Sequence, residues 1–307
     1  MRRFFLGALC SAAAAASAGC ERQPYLTPER QAKGLVVVLP GVEGRGPLNE
    51  GICRGLNAGG VDWGIDLEDW TSPLGLLYNL RAELHNRQKA NRIAIRIAEY
   101  KFAHPDNPVV LIGQSGGGGM ALWIAEAMPE GQYIDGLILL APAISPGYMV
   151  DFALSKTRLG VLNFYSERDW LFLGLVTTLY GTMDGEHSAS AGRVGFLLPP
   201  GRGRPKEYDR LFQIAWHKQM AAAGHTGGHL ATSAEGFVKH YVAPFVLAKR
   251  WDEEVIAGVL TGRRVDTSGL VPMERWTPMP GQDWPAPEAS RPRPKAMERR
   301  AKAATVP

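Results

Sequence analysis

Val109-Val-Leu-Ile-Gly-Gln-Ser-Gly-Gly-Gly-Gly-Met120 joins an apolar run of strand length to a run of glycines that opens a helix. Its centre, Gly113-Gln114-Ser115-Gly116-Gly117, fits the pattern G-x-S-x-G. That pattern answers a physical demand: a very tight strand-to-helix turn that holds the serine in a strained backbone conformation with its hydroxyl exposed. Side chains two residues to either side would collide, so glycine is required at both positions. The helix that follows aims its first N–H groups at the same place, where a developing negative charge is welcome. Gly116-Gly-Gly118-Gly-Met-Ala121 also fits the dinucleotide pattern G-x-G-x-x-A, which asks for an acidic residue at the far end of the next strand. Asp135 stands at the start of the following run, Ile134–Leu140, whose far end is Ala141-Pro142, so the nucleotide reading fails here.

Outward from this turn, short apolar runs bounded by turn residues recur at Leu35–Leu39, Val61–Leu67, Ile134–Leu140, Leu159–Tyr165 and, more faintly, Leu211–Trp216. Continuous β-branched runs of this kind suit strands buried on both faces. Helix-length segments separate them. Gly75–Ala103 carries Leu76, Leu77, Leu80, Leu84, Ile93, Ile97 and Tyr100 at three- and four-residue spacing, and Gly117–Met128 and Ser233–Lys249 are the other clear helices. Strands alternating with helices predict an α/β fold: a mostly parallel sheet with helices on both faces. No internal repeat is present.

Hydrophobic residues make up 45% and charged residues 21%, an ordinary globular composition that excludes a wholly disordered or collagen-like chain. The formal charge is +4, and Arg263–Pro307 alone, with nine Lys/Arg against five Asp/Glu, supplies all of it. A nucleic-acid reader wears its basic charge on a folded face, so nucleic acid is not an expected partner. Arg2-Arg3, the alanine-rich run to Ala16 and the small residues after it read as an export signal over residues 1–20, too short for a stop-transfer span. Ser17-Ala18-Gly19-Cys20 resembles a bacterial lipobox that would acylate Cys20 and anchor the chain to a membrane; its departure is Ser17, where the pattern has an aliphatic residue. Ala16-Ser17-Ala18 also fits ordinary secretion. Only Cys53 lies in the body, which excludes a disulfide scaffold. The expected organisation is a polar leader at 21–33, one domain at 34–250, and an extended Pro-rich basic tail at 251–307, where eight prolines fall between Pro272 and Pro307.

Over roughly Gly34–Arg250 the chain resembles the α/β-hydrolase family. Chain order in that family is nucleophile, acid, histidine, which implies that two partners of Ser115 follow it. The resemblance implies Asp169, just beyond the Leu159–Tyr165 run, as the acid, with Glu167 nearby and Asp184 as a more distant alternative. It implies His229, in the glycine-rich loop Gly224-His-Thr-Gly-Gly-His229, as the base, with His225 as the competitor. Four-residue histidine spacing also suits zinc on a helix, but Gly227 and Gly228 argue against a helix there and no third ligand is apparent. The oxyanion-binding amides implied are Gly116 and one from Pro40-Gly41-Val42-Glu43-Gly44, either Val42 or Glu43. The activity implied is hydrolysis of a small-molecule or lipid carboxylic ester through an acyl-enzyme on Ser115, without metal or organic cofactor. Thioesterase or acyltransferase chemistry uses the same parts, and an exported binding protein on a hydrolase fold is the non-catalytic alternative. Trp63 and Trp70 flank the second run and either line an acyl pocket or pack in the core. Trp170–Tyr180 is either a lid or a packing helix.

Overall fold

The computed structural model describes residues 23–169, 181–199 and 205–262. The expected export signal with Cys20, the segment Trp170–Tyr180 and the chain from residue 263 onward lie outside the described residues. Six strands, β1 (Leu35–Leu39), β2 (Gly64–Leu67), β3 (Val109–Gln114), β4 (Ile134–Leu140), β5 (Thr157–Tyr165) and β6 (Leu211–Ala215), form one sheet in the order β2-β1-β3-β4-β5-β6. All five pairings are parallel. The order reverses between β1 and β3. In an open parallel sheet the strand ends at that reversal form the natural crevice for a ligand.

The apolar runs divide between two cores by the period of two that a strand imposes. Leu35, Val37 and Leu39 of β1, with Val109 and Leu111 of β3, face one layer, built largely from the helices α4 (Glu83–Ala103) and α5 (Gly116–Glu126). Val36 and Val38, with Val110 and Ile112, face the other layer, containing α2 (Pro47–Ala58) and the segment from Phe237 to Val259. The α5 sequence GGGGMALWIAE is apolar nearly all round, and the helix is buried from Gly116 to Ala125 against the middle of the sheet. In α4 the buried positions Asn86, Ala90, Ile93, Ala94, Ile97, Ala98 and Lys101 follow the three-and-four rhythm of one helical face.

Several boundaries differ from the sequence reading. The run from Val61 becomes strand only at Gly64. The helix expected over Gly75–Ala103 breaks at Ala82 (φ −81°, ψ 57°) into α3 (Leu76–Arg81) and α4. The break turns Leu76, Leu77 and Leu84 out to solvent and leaves Leu80 inside. The helix expected over Ser233–Lys249 is a 3₁₀ turn at His229–Ser233, one α-helical turn at Glu235–Phe237, a π turn at Val238–Val242 and a last helix at Ala243–Leu247. Pro244 accounts for the wide turn: it donates no N–H and its ring crowds the carbonyl four residues back, so the ladder opens to Ala243 N–H bonding Val238 O.

Both expected domain edges move outward. Residues 23–33 are not a loose leader: the Gln23 side chain bonds Asp66 and the Leu67 N–H, Tyr25 O accepts from Ile65 N–H, and the short α1 (Pro28–Gln31) packs beside Gly64. At the other edge Trp251 is buried, donates its indole N–H to Phe245 O, and lies so close over β4 that a Cβ on Gly136 would strike its ring. Asp252 then caps a helix at Glu253–Leu260 by accepting from Val255 N–H. The glycines of this stretch suggested a tail from residue 251, but the apolar positions Val255, Ile256 and Val259 complete the second core.

Candidate active site

Ser115 sits at the reversal point of the sheet, one residue past the end of β3. Its backbone has φ 54° and ψ −121°, a region that a side-chain-bearing residue occupies only under constraint. The constraint is visible on three sides. Ser115 N–H donates to Leu140 O at 3.0 Å, and Ser115 O accepts from Gly118 N–H and Ala143 N–H, each at 2.9 Å. A Cβ on Gly113 would strike the backbone of Gly117, and one on Gly117 would strike the carbonyls of Leu39 and Pro40. The two flanking glycines are therefore sites of close backbone approach, as the motif requires. A second non-glycine residue with positive φ, Ala141 (φ 48°), turns the chain at the end of β4 so that Pro142 packs against Gly118 of α5.

His229 and Asp169 converge on this serine from the far side of the sheet. Asp169 follows β5 and is buried; its N–H donates to Ser166 O. His229 opens the 3₁₀ turn after β6, and Thr232 Oγ1 donates to its carbonyl at 2.9 Å. His229 Nδ1 lies 2.7 Å from Asp169 Oδ2, and His229 Nε2 lies 2.8 Å from Ser115 Oγ. A carboxylate only accepts, so the proton of neutral His229 belongs on Nδ1, and Nε2 accepts from the Ser115 hydroxyl. All three side chains are buried. Two further contacts hold the histidine loop in place: Ser166 Oγ donates to Gly227 O at 2.7 Å, and the Arg168 guanidinium lies 4.4 Å over the Trp216 ring.

The fold is an α/β-hydrolase fold.

Strand order, the strained serine at the strand-to-helix turn and the Ser115–His229–Asp169 chain order together carry that statement. No family model and no curated protein matches the chain. Among solved structures it is similar to a dienelactone hydrolase-like promiscuous phosphotriesterase from metagenomic libraries, at 16% identity over 75% of this chain and 83% of the other, TM-score 0.38. It is also similar to lipase B of Aspergillus fumigatus, at 10% identity over 72% of this chain and 54% of the other, TM-score 0.42. A third is a predicted CIB-like hydrolase of Thermoplasma acidophilum, at 15% identity over 72% and 88%, TM-score 0.39.

Of the two amides expected to bind an oxyanion, Gly116 N–H is at the first turn of α5, and the Val42 nitrogen lies 3.3 Å from where a Cβ on Gly116 would stand. Among the described residues neither amide donates to a backbone carbonyl. The Val42 amide is thus beside Gly116, and the Glu43 side chain folds back over Gly41. Asn79, which sequence reasoning did not single out, and Trp70, read there as pocket lining or core, hold the loop. Asn79 of α3 donates from Nδ2 to Val42 O at 3.0 Å, and the buried Trp70 donates its indole N–H to Pro40 O at 2.7 Å with its ring beside Gly116. Trp70 thus packs under the loop. Asn79 had no sequence signal, since one asparagine in a leucine-rich helix looks like a solvent-facing polar residue.

The competing residues are placed elsewhere. His225 is buried and edge-on to Phe237 at 4.6 Å, its carbonyl accepts from Trp216 Nε1, and its Nδ1 accepts from Gly227 N–H. Burial pushes its pKa down to about 4 despite the nearby Asp169. It is wedged beneath the loop. Glu167 is exposed. Asp184 accepts from Ser145 N–H at 2.9 Å, from Ser145 Oγ, and from Thr182 Oγ1 at 2.6 Å, which ties the 181–186 turn to the loop after β4. Asp135, the residue weighed for ribose, is at the opposite end of the sheet, paired with Lys101 and accepting from Val109 N–H.

Proposed function

We propose that this chain is a serine hydrolase that cleaves carboxylic esters. The observation that carries the reading is the buried Ser115–His229–Asp169 relay, with contacts of 2.8 and 2.7 Å, on a serine whose backbone is held strained at a sheet reversal. In the acylation step Ser115 Oγ attacks the ester carbonyl while His229 Nε2 takes its proton. Asp169 holds the imidazole in the required tautomer and stabilises the imidazolium. The Gly116 and Val42 amides receive the charge that develops on the carbonyl oxygen, and the first turn of α5 adds its positive end. His229 then returns the proton to the leaving alcohol. Water, deprotonated by the same histidine, attacks the acyl-enzyme and releases the acid. The substrate class proposed is a small-molecule or lipid ester of an exported enzyme that Cys20 anchors to a membrane.

A panel of chromogenic esters, thioesters and anilides, run with the wild type and a folded Ser115→Ala variant, tests the reading. Ester turnover is expected to be the fastest and to vanish in the variant. Near wild-type ester hydrolysis by Ser115→Ala would overturn it, and thioester turnover exceeding ester turnover would move the substrate class.

A further inference from the structure

Four leucines between residues 74 and 84 stand without cover. Leu74 is 69% exposed, Leu76 56%, Leu77 54% and Leu84 75%. Three of them fall within four residues, on the loop before α3 and on its first turn, while Asn79 and Leu80 form that helix's buried side. Scattered exposed leucines need no explanation; a run of them on one corner does.

Two further observations place this corner. It stands at the C-terminal end of the sheet, beside the candidate site. The chain leaves β2 at Leu67, passes Trp70 against Gly116, and enters α3, whose Asn79 holds the Val42 carbonyl. The second observation is where the N-terminal segment joins the fold. Gln23 bonds Leu67 N–H at 2.7 Å, Tyr25 bonds Ile65, and Gln31 packs on Gly64, so residues 23–31 run along the edge strand from its C-terminal end towards its N-terminal end. Gln23 therefore stands at the same end of the sheet as Ser115 and the leucines. Cys20 precedes Gln23 by three residues, which at full extension span at most about 11 Å.

We infer that the Leu74–Leu76–Leu77 corner is a membrane-docking surface, seated on the lipid bilayer to which a Cys20 acyl anchor would hold the chain. The inference rests on the export and ester readings above. A tether this short would keep the bilayer near the end of the sheet that carries the leucines. Apolar side chains there enter the headgroup boundary, as the apolar face of an interfacial helix does. The site at the same end of the sheet then opens on the lipid phase, which favours esters that partition into membranes over esters free in water. A second copy of the chain is the competing occupant.

The test uses the full chain carrying Cys20→Ala, so that no acyl chain masks the corner, with and without the combined changes Leu74→Asp, Leu76→Asp and Leu77→Asp. Binding is read by flotation with ether-linked phosphatidylglycerol/phosphatidylcholine vesicles, which no esterase can consume. Turnover is read on a water-soluble p-nitrophenyl ester and on a long-chain ester embedded in the same vesicles. The inference expects the triple change to weaken vesicle binding at least tenfold and to cut embedded-ester turnover at least tenfold, with soluble-ester turnover within twofold. Unchanged flotation overturns it, as does self-association that the triple change abolishes while vesicle binding stays the same. Absence of turnover on both esters with binding still lost would count against the ester reading alone and leave the docking surface standing.

Discussion

The turn around Ser115 and the loop around His229 reach the same few ångströms of space by opposite means. The turn is built almost wholly from its own residues: glycines at 113 and 117 admit neighbouring backbone, and Ser115 is pinned by Leu140, Gly118 and Ala143. The histidine loop has little regular secondary structure ahead of the 3₁₀ turn at His229. Its position comes from Ser166 bonding Gly227, Arg168 lying over Trp216, His225 wedged against Phe237, and Asp169 meeting His229. One region stores strain in the backbone, and the other is hung on tertiary contacts. Substitutions in the first should therefore act on folding, and those in the second mainly on the precision of the base.

The largest expected effect is in the loop. His229→Ala should lower kcat by a factor on the order of 10³ or more, roughly 4 kcal/mol of barrier, with the denaturant midpoint little changed. Steady-state kinetics on the best ester of the panel measure it; a loss below tenfold would remove His229 from the relay. Gly117→Ala is the counterpart in the turn. The added methyl meets the carbonyls of Leu39 and Pro40, so a stability loss of about 3 kcal/mol is expected in urea unfolding. A neutral result would mean that the turn is less crowded than described.

His225 gives a pH signature of its own. Its pKa is about 4 in the folded chain against about 6.5 unfolded, so between those values the unfolded state binds the extra proton. Stability is thus full above pH 6.5 and falls as pH falls towards 4. From pH 7 to pH 5 His225 should account for roughly 2 kcal/mol of lost stability. His225→Gln should be less stable at pH 7 and should flatten that acid slope; an unaltered slope would place the sensitivity elsewhere. The smallest effect concerns the oxyanion loop. Asn79→Ala frees the Val42 carbonyl and should cost about tenfold in kcat, near 1.4 kcal/mol, with KM within twofold. A change in KM alone would make Asn79 a substrate-binding residue.

What could be read from sequence follows the same division. The turn, the strand runs and the parallel sheet were legible because their signals are local: apolar runs bounded by turn residues, and glycines at fixed offsets from a serine. Ser115 could be proposed from its motif and Asp169 and His229 from chain order, and the structure brings the three together; the Gly-Gly-His ending of the loop favoured His229 over His225 but could not exclude His225. That distinction lies in which ring points at Ser115, and contacts with Ser166, Arg168 and Phe237 set it. The break at Ala82 was invisible for a different reason. Leu76, Leu77 and Leu84 keep helical spacing, and periodicity does not say whether an apolar stripe is buried or bare. The edge at Trp251 was misplaced because glycines at 258 and 262 masked the spacing of Val255, Ile256 and Val259. Pro244 is the sequence sign of the break inside Ser233–Lys249.

The central claim is that Ser115 is a nucleophile activated by His229, and covalent trapping tests it most directly. The protein is treated with an alkyl fluorophosphonate, digested, and mapped by tandem mass spectrometry. The account predicts a phosphonyl adduct on Ser115 in the wild type and in His225→Gln, with labelling at least a hundredfold slower in His229→Ala. An unlabelled Ser115, or equal labelling rates in the wild type and His229→Ala, would contradict it.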